Sequence, residues 1–284
     1  VRIDDLLRAA TVTLGRAGLA APEPAIVVAA ALGRGRGDLE LDRLLGRTVC
    51  DDDANRVREV VRRRARREPL QHILGVAPFD QVEVAVGPGA FVPRPETEVL
   101  VAAAADRLVD AEAGLVADVG SGTGAIAISL GLRLPRMRVV ALEASAHAWP
   151  WLRRNVAANA SAKVAARFGD WLPQLRAAAT GEPLRGIVSN PPYVPLREVP
   201  RDPEVRMFDP EPALYSGGDG LDEIRRIIVF AAEALEPGGL VALEHTEEQG
   251  AEIRNLARAA GLDSPETIVD LAGRERHTLA TRGG

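Results

Sequence analysis

Between residues 115 and 132 an apolar run, LVADV, stops at Gly120, Gly122 and Gly124 and resumes as the apolar stretch AIAISLGL. The first run has the length of a buried strand and the second that of a helix. The glycines between them let the backbone turn tightly and approach a ligand. The helix behind them opens with unpaired N–H groups. A strand that delivers the chain to such a turn, and a helix that carries it back, form half of a parallel-sheet unit. The spacing is G-x-G-x-G rather than the G-x-G-x-x-G of the dinucleotide fingerprint, and no lysine follows as in a nucleoside triphosphate loop.

The rest of the chain after Glu96 repeats that rhythm. Helices are predicted over 96–109, 124–132, 145–159, 221–235 and 247–260. Strands are predicted over 115–119, 138–142, 164–168, 186–189 and 240–244, with two more near Ile268 and Thr278. Apolar strands alternating with helices imply an α/β protein whose parallel sheet is covered on both faces. Ligands of such sheets bind outside the carboxyl ends of the strands, where strand order reverses. The chain before this is helical, with Leu6, Leu7, Ala10 and Leu14 at helical spacing and further helices over 25–32, 39–45 and 51–67. The last of these carries Arg56, Arg58, Arg62, Arg63, Arg64, Arg66 and Arg67. In a chain where Lys163 is the one lysine, these arginines read as a solvated face or as a docking surface for RNA or an acidic partner. Between residues 71 and 91 the period shortens to two, in FDQVEVAV, as in a small β-hairpin joining two domains.

Several classes are disfavoured. A net charge of −5 gives no general attraction to nucleic acid or anionic membrane. The longest apolar run, 25–32, is far too short to span a bilayer. No signal peptide is visible, so a cytoplasmic location is expected. Cys50 is the one cysteine and the four histidines are scattered, so neither a disulfide nor a metal site is expected.

Acidic residues stand at successive strand ends. Asp118 precedes the glycine loop. Glu143 ends the next strand, where a carboxylate can accept both hydroxyls of a ribose. Asp170 and Trp171 follow the third, a carboxylate for an adenine amino group beside an aromatic wall. Such a rim suits a ligand with a ribose, an ammonium and a positive sulfur, which describes S-adenosylmethionine. The fourth strand ends in NPPY. Proline fixes its own φ and restricts the residue before it, so Asn190 is held extended at the strand tip. Its side-chain oxygen and the carbonyls of Asn190 and Pro191 form a rigid set of acceptors, and Tyr193 offers a flat surface. The motif therefore holds a planar group bearing –NH₂, either an amide or the amino group of a base.

Taken in order, EPLQHILG, FVPRPETE, DVGSGTGAIAI, GDW, IVSNPPYVP, EVRMFDPEPAL, GGDGLDEIRRII, LEPGGLVALEH and DLAGRERHTLA resemble the bacterial protein-(glutamine-N5) methyltransferases that modify peptide chain release factors. The likeness runs from about Glu68 to the C-terminus. It implies a Rossmann-like, S-adenosylmethionine-dependent methyltransferase domain over 93–284. An N-terminal helical substrate-recognition domain over 1–68 would be joined to it by a hairpin linker over 69–92. It implies that Gly120, Ser121, Gly122, Thr123 and Gly124 wrap the methionine part of the cofactor. Glu143 would hold the ribose, where the family frequently has Asp, and Asp170 and Trp171 the adenine. Asn190, Pro191 and Tyr193 would be catalytic and, with Pro192, would bind the substrate amide, Asn190 also lying near the cofactor. Phe91 and Arg94 would help close the site. The implied substrate is the glutamine of a release-factor Gly-Gly-Gln loop, with the enzyme a monomer that has no membrane partner and no direct nucleic-acid substrate. Three rivals stand beside this reading: a glutamine methyltransferase of a ribosomal protein, an N6-adenine nucleic-acid methyltransferase with the same Asn-Pro-Pro-Tyr chemistry, and a module that binds the cofactor only as a signal.

Overall fold

A computed structural model describes residues 1–160 and 163–284. The chain forms two compact units, Val1–Val76 with Arg201–Phe208, and Ala77–Pro200 with Asp209–Gly284.

The first unit contains α1 (Ile3–Arg16), α2 (Glu23–Ala31), α3 (Arg36–Leu44), α4 (Asp51–Ala65) and α5 (Leu70–Leu74). Ile3, Leu6, Ala10 and Leu14 make the buried stripe of α1, at the spacing of one helix face. In α4, Asp51, Asp52 and Asp53 occupy the first turn and Arg62, Arg63 and Arg64 the last, which complements the helix dipole at both ends. The arginine face is largely tied to its own neighbourhood. Arg56 bonds Asp53 at 2.6 Å, Arg58 bonds Asn55 at 2.8 Å, and Arg62 and Arg63 pair with Glu59 and Glu68. Arg64 is instead buried, donating to Glu23 at 2.6 Å and to Glu204 at 2.7 Å. Gln71 to Leu74, expected at the start of the hairpin, belong to α5. Gly75, at φ 78°, ends that helix in the left-handed region, and five residues are too few to display a period of 3.6.

The hairpin β1 (Val76–Phe79) and β2 (Val82–Ala85) comes next, the second unit starting at Ala77. There follow α6 (Pro95–Leu108), β3 (Gly114–Val119), α7 (Ala125–Arg133), β4 (Met137–Glu143), α8 (Trp149–Asn159) and β5 (Val164–Phe168). Then come α9 (Trp171–Ala178), β6 (Leu184–Ser189), α10 (Pro203–Phe208, in the first unit), α11 (Asp222–Ala234), β7 (Leu240–Glu244), α12 (Gly250–Ala259), β8 (Leu262–Val269) and β9 (Glu275–Arg282). The helices α9 and α10 fall where the sequence showed no period, and α9 is begun by Asp170, whose carboxylate caps Leu172 N at 2.9 Å.

The sheet runs β5-β4-β3-β6-β7-β9-β8, parallel through β7 and antiparallel at β9 and β8. All of β3 and β7 is buried, as expected when both faces are covered. One apolar layer includes α6, α7 and α8, and the opposite one α9, α11 and α12. The order reverses between β3 and β6. Their carboxyl ends are joined directly by Ser189 Oγ, which donates to the Val119 carbonyl at 2.6 Å. The glycine loop and NPPY leave the sheet from these two neighbouring ends.

Asn155 of α8 fastens the hairpin to the glycine loop. Its Oδ1 accepts from Ala85 N at 2.7 Å, and its Nδ2 donates to the carbonyls of Ala85 at 2.8 Å and Thr123 at 2.9 Å. The side chain is 2% exposed, so Asn155→Ala strands buried backbone groups away from water. The expected cost is about 3 kcal/mol to the second unit. Hydrogen exchange read by mass spectrometry checks this: β2 and the glycine loop should open more often than in the natural protein, and unchanged exchange there contradicts it.

Candidate active site

The glycine loop is shaped for a ligand. Gly122 has φ 55°, and a Cβ built there meets nothing within 4 Å, so the space beside the backbone is open. Gly124 has φ 85°, and its Cβ would stand 2.6 Å from Leu152 Cδ1, so only glycine lets α7 start this close to α8.

Glu143, at the tip of β4, is 8% exposed. One carboxylate oxygen accepts from Gly122 N at 2.7 Å and the other from Ser145 N at 2.6 Å. Each oxygen keeps a lone pair for a hydroxyl. Burial raises the carboxyl pKa, although the N–H groups of Ser145 and Gly122 pull it back. Asp118 is fully buried, and that desolvation pushes its pKa up to about 7. Its Oδ2 accepts from Ala127 N at 3.1 Å while Oδ1 has no partner. Asp170 is exposed and reached by Arg226 at 3.3 Å. Trp171 is 7% exposed: its indole N–H donates to Glu223, Phe230 meets it edge-on at 5.6 Å, and the Arg226 guanidinium lies 5.3 Å from its ring centre. The ring is thus a fixed wall rather than a free plate.

These residues fit S-adenosylmethionine. The open space at Gly122, the orphaned oxygen of Asp118 and the spare lone pairs of Glu143 ask for a ligand with cationic and hydroxyl donors. Glu143→Ala is expected to weaken cofactor binding by about 1–3 kcal/mol in titration calorimetry. Equal binding removes the ribose role.

NPPY is gripped from behind. Asn190 Nδ2 lies 3.4 Å from Thr97 Oγ1, and Thr97 donates to Glu244 Oε2 at 2.7 Å. Tyr193 Oη lies 3.4 Å from Glu244 Oε1. Burial, then the Glu244 charge, raises the Tyr193 pKa well above its ordinary value, so the phenol stays protonated. The Tyr193 carbonyl accepts from Gln249 Nε2 at 3.0 Å. Arg94, whose guanidinium sits 5.0 Å from the Phe91 ring centre, donates to Asp209 at 2.8 Å. Arg94 therefore holds the returning chain at Asp209, with the Phe91 ring against its guanidinium. Sequence pattern alone does not single out Thr97, Glu244, Gln249 and Asp209. Thr97, Asp209 and Glu244 lie inside the stretches FVPRPETE, EVRMFDPEPAL and LEPGGLVALEH. Glu244 also ends an apolar strand as Glu143 does, which is the signal that marks it.

Among the described residues no group of acids, histidines and cysteines could hold a metal ion, and no helix is long and apolar enough to cross a membrane. Residues 95–219 match the methyltransferase small domain and residues 5–75 the PrmC N-terminal domain. The release factor glutamine methyltransferase of Bifidobacterium longum is 37% identical over 292 residues, covering 98% of this chain and 99% of its own. That of Streptomyces coelicolor is 44% identical over 250 residues, covering 86% of this chain and 85% of its own. Among solved structures, the hMettl16 catalytic domain in complex with MAT2A 3'UTR hairpin 6 has a TM-score of 0.54 at 18% identity, over 84% of this chain and 85% of that one, a likeness of fold.

Proposed function

Because the chain belongs to the release factor glutamine methyltransferase family, we propose that it transfers a methyl group from S-adenosylmethionine to a glutamine side-chain amide nitrogen of peptide chain release factors, in their Gly-Gly-Gln loop. The observation that carries this reading is the bond between Ser189 and Val119, which sets the Asn-Pro-Pro-Tyr acceptors beside the glycine loop.

The chemical difficulty is the nucleophile. An amide nitrogen shares its lone pair with the carbonyl, and that resonance is worth a rotation barrier of about 18–20 kcal/mol. Bound S-adenosylmethionine supplies a methyl carbon on positive sulfur, and transfer leaves the C–S electron pair on sulfur. Gly120, Ser121, Gly122, Thr123 and Gly124 hold the methionine part, Glu143 the ribose, and Asp170 and Trp171 the adenine side. Asn190 and the Pro191 carbonyl accept from the amide –NH₂ and turn its lone pair toward the methyl. Pro192 keeps the turn rigid, Tyr193 lies against the planar group, and Phe91 and Arg94 close the site. Holding the reacting atoms in line contributes about 7–11 kcal/mol. Acceptors suited to a pyramidal, partly positive nitrogen favour the transition state over the planar amide, by about 1.5–3 kcal/mol for each charge-assisted hydrogen bond. The nitrogen's proton becomes acidic as the C–N bond forms and leaves to water, so no strong base is required. The enzyme works as a cytoplasmic monomer, with no nucleic-acid substrate.

The test is methyl transfer from labelled S-adenosylmethionine to a purified release factor, a ribosomal protein and DNA side by side. Label on the release factor is expected. Label confined to the ribosomal protein or to DNA adenine overturns the reading in favour of that substrate.

A further inference from the structure

The carboxylate of Glu244 is 1% exposed, and no lysine or arginine among the described residues pairs with it. It receives Thr97 Oγ1 at 2.7 Å on one oxygen and Tyr193 Oη at 3.4 Å on the other, with His277 Nε2 3.7 Å from the first. A buried acid is costly unless its partners are arranged for it, and here two of those partners stand around the amide-binding motif. Thr97 reaches Asn190, and Tyr193 belongs to NPPY itself.

The hydrogens available give the arrangement a direction. A carboxylate only accepts, so Thr97 must spend its single hydroxyl proton on Glu244. What Thr97 then shows to Asn190, 3.4 Å away, is a lone pair. Only the –NH₂ end of the Asn190 amide can meet a lone pair, so Oδ1 is turned the other way. We propose that Glu244 is a positioning residue which, through Thr97, fixes the Asn190 amide with its oxygen presented to the substrate. This rests on the reading of Asn190 as the acceptor of a substrate –NH₂. The chain Glu244–Thr97–Asn190 is a polarity relay. A carboxylate at its buried end forces an acceptor at its open end, which an asparagine free to flip does not guarantee. Were residue 244 an amide, it could donate to Thr97. The hydroxyl would turn toward Asn190 Oδ1, and the flipped side chain would offer N–H to N–H.

Three variants test this. Glu244→Gln keeps the shape and permits the reversed polarity. Thr97→Val keeps the volume and removes the relay. Thr97→Ser keeps the hydroxyl. Both Glu244→Gln and Thr97→Val are expected to lower kcat about 10- to 100-fold, with the dissociation constant for S-adenosylmethionine changed less than about threefold. Thr97→Ser is expected to restore kcat to within about threefold of the natural enzyme. A merely structural role would move stability and cofactor affinity together and would not be rescued by serine. A second readout needs no turnover. In the natural protein an NMR cross-peak should connect the Asn190 side-chain –NH₂ with the Thr97 γ-methyl, and Glu244→Gln should abolish it. Wild-type kcat in Thr97→Val, or absence of the cross-peak in the natural protein, overturns the relay. Failure to methylate any release factor while the cross-peak persists instead sinks the proposed substrate and leaves the relay standing.

Discussion

Asn190→Ala is expected to lower kcat by about 10²–10³-fold, the scale of losing one preorganised polar group aimed at developing charge. Its S-adenosylmethionine affinity should stay within about threefold of wild type. The separation follows from the fold. Asn190 follows the end of β6, whereas the glycine loop and Glu143 are carried by β3 and β4. Removing the side chain leaves Ser189 bound to Val119 and Glu143 bound to Gly122 and Ser145. Asn190→Asp keeps an acceptor for the substrate but has no N–H for Thr97, and should retain only a small part of the rate. Wild-type turnover by Asn190→Ala means that the amide is not held as described. The assay is steady-state methylation of a release factor, with calorimetry for the cofactor.

The sheet is legible, as is the meeting of the glycine loop, Glu143 and NPPY at one end of it, because their patterns are local. A strand, three glycines and a helix announce a parallel unit, and an acid at a strand tip beside such a loop marks a place suited to a hydroxyl ligand. The prolines of NPPY fix the backbone wherever they occur. What escaped is what depends on distant chain. Thr97 and Glu244 are 147 residues apart and meet only because β6 and β7 are neighbours and α6 packs over them. Arg64 looked like one more solvated arginine of α4, yet it is the buried one. The segment Arg201–Phe208 lies within the span expected to be catalytic, but the fold groups it with the N-terminal helices. No composition shift marks that excursion, because it is made by ion pairs rather than by apolar periodicity.

Those ion pairs carry the second large effect. Glu204 accepts from Arg64 at 2.7 Å and from Arg67 at 2.7 Å, with the Arg64 and Glu204 side chains 8% and 12% exposed. Glu204→Ala takes one partner from each of two guanidinium groups, although Arg64 keeps Glu23, so the cost falls toward the low end of the about 3–5 kcal/mol for breaking a buried pair. Hydrogen exchange read by mass spectrometry should show α4 and segment 201–208 opening far more often, while β3 and β7 keep their protection. Exchange is the right probe because a chain of two units need not melt in one step. Acid should do the same to the natural protein. Burial works to raise the Glu204 pKa, but hydrogen bonds from Arg64 and Arg67 outweigh it and leave the pKa below the ordinary 4.5. A depressed carboxyl pKa stabilises fully above the unfolded value and ceases to do so as pH falls through the folded one. Protection of this segment should therefore be flat above pH 4.5 and decline below it. Unchanged exchange in Glu204→Ala shows that other contacts hold the segment. The same network means that a fragment beginning at residue 69 would leave 201–208 without Arg64 and Arg67.

If the acceptors at Asn190 receive a primary amide on a flexible stem, one glutamine side chain is the methylated group. Single-turnover reaction of the enzyme with a folded release factor, followed by tryptic digestion and fragmentation mass spectrometry, tests it directly. One methyl should appear on the side-chain nitrogen of the glutamine in the Gly-Gly-Gln peptide. Gln→Glu at that position should abolish it, because a carboxylate has no N–H to give and is repelled by the acceptors. A methyl on another residue, transfer that survives Gln→Glu, or label found on nucleic-acid adenine with none on the protein contradicts the account.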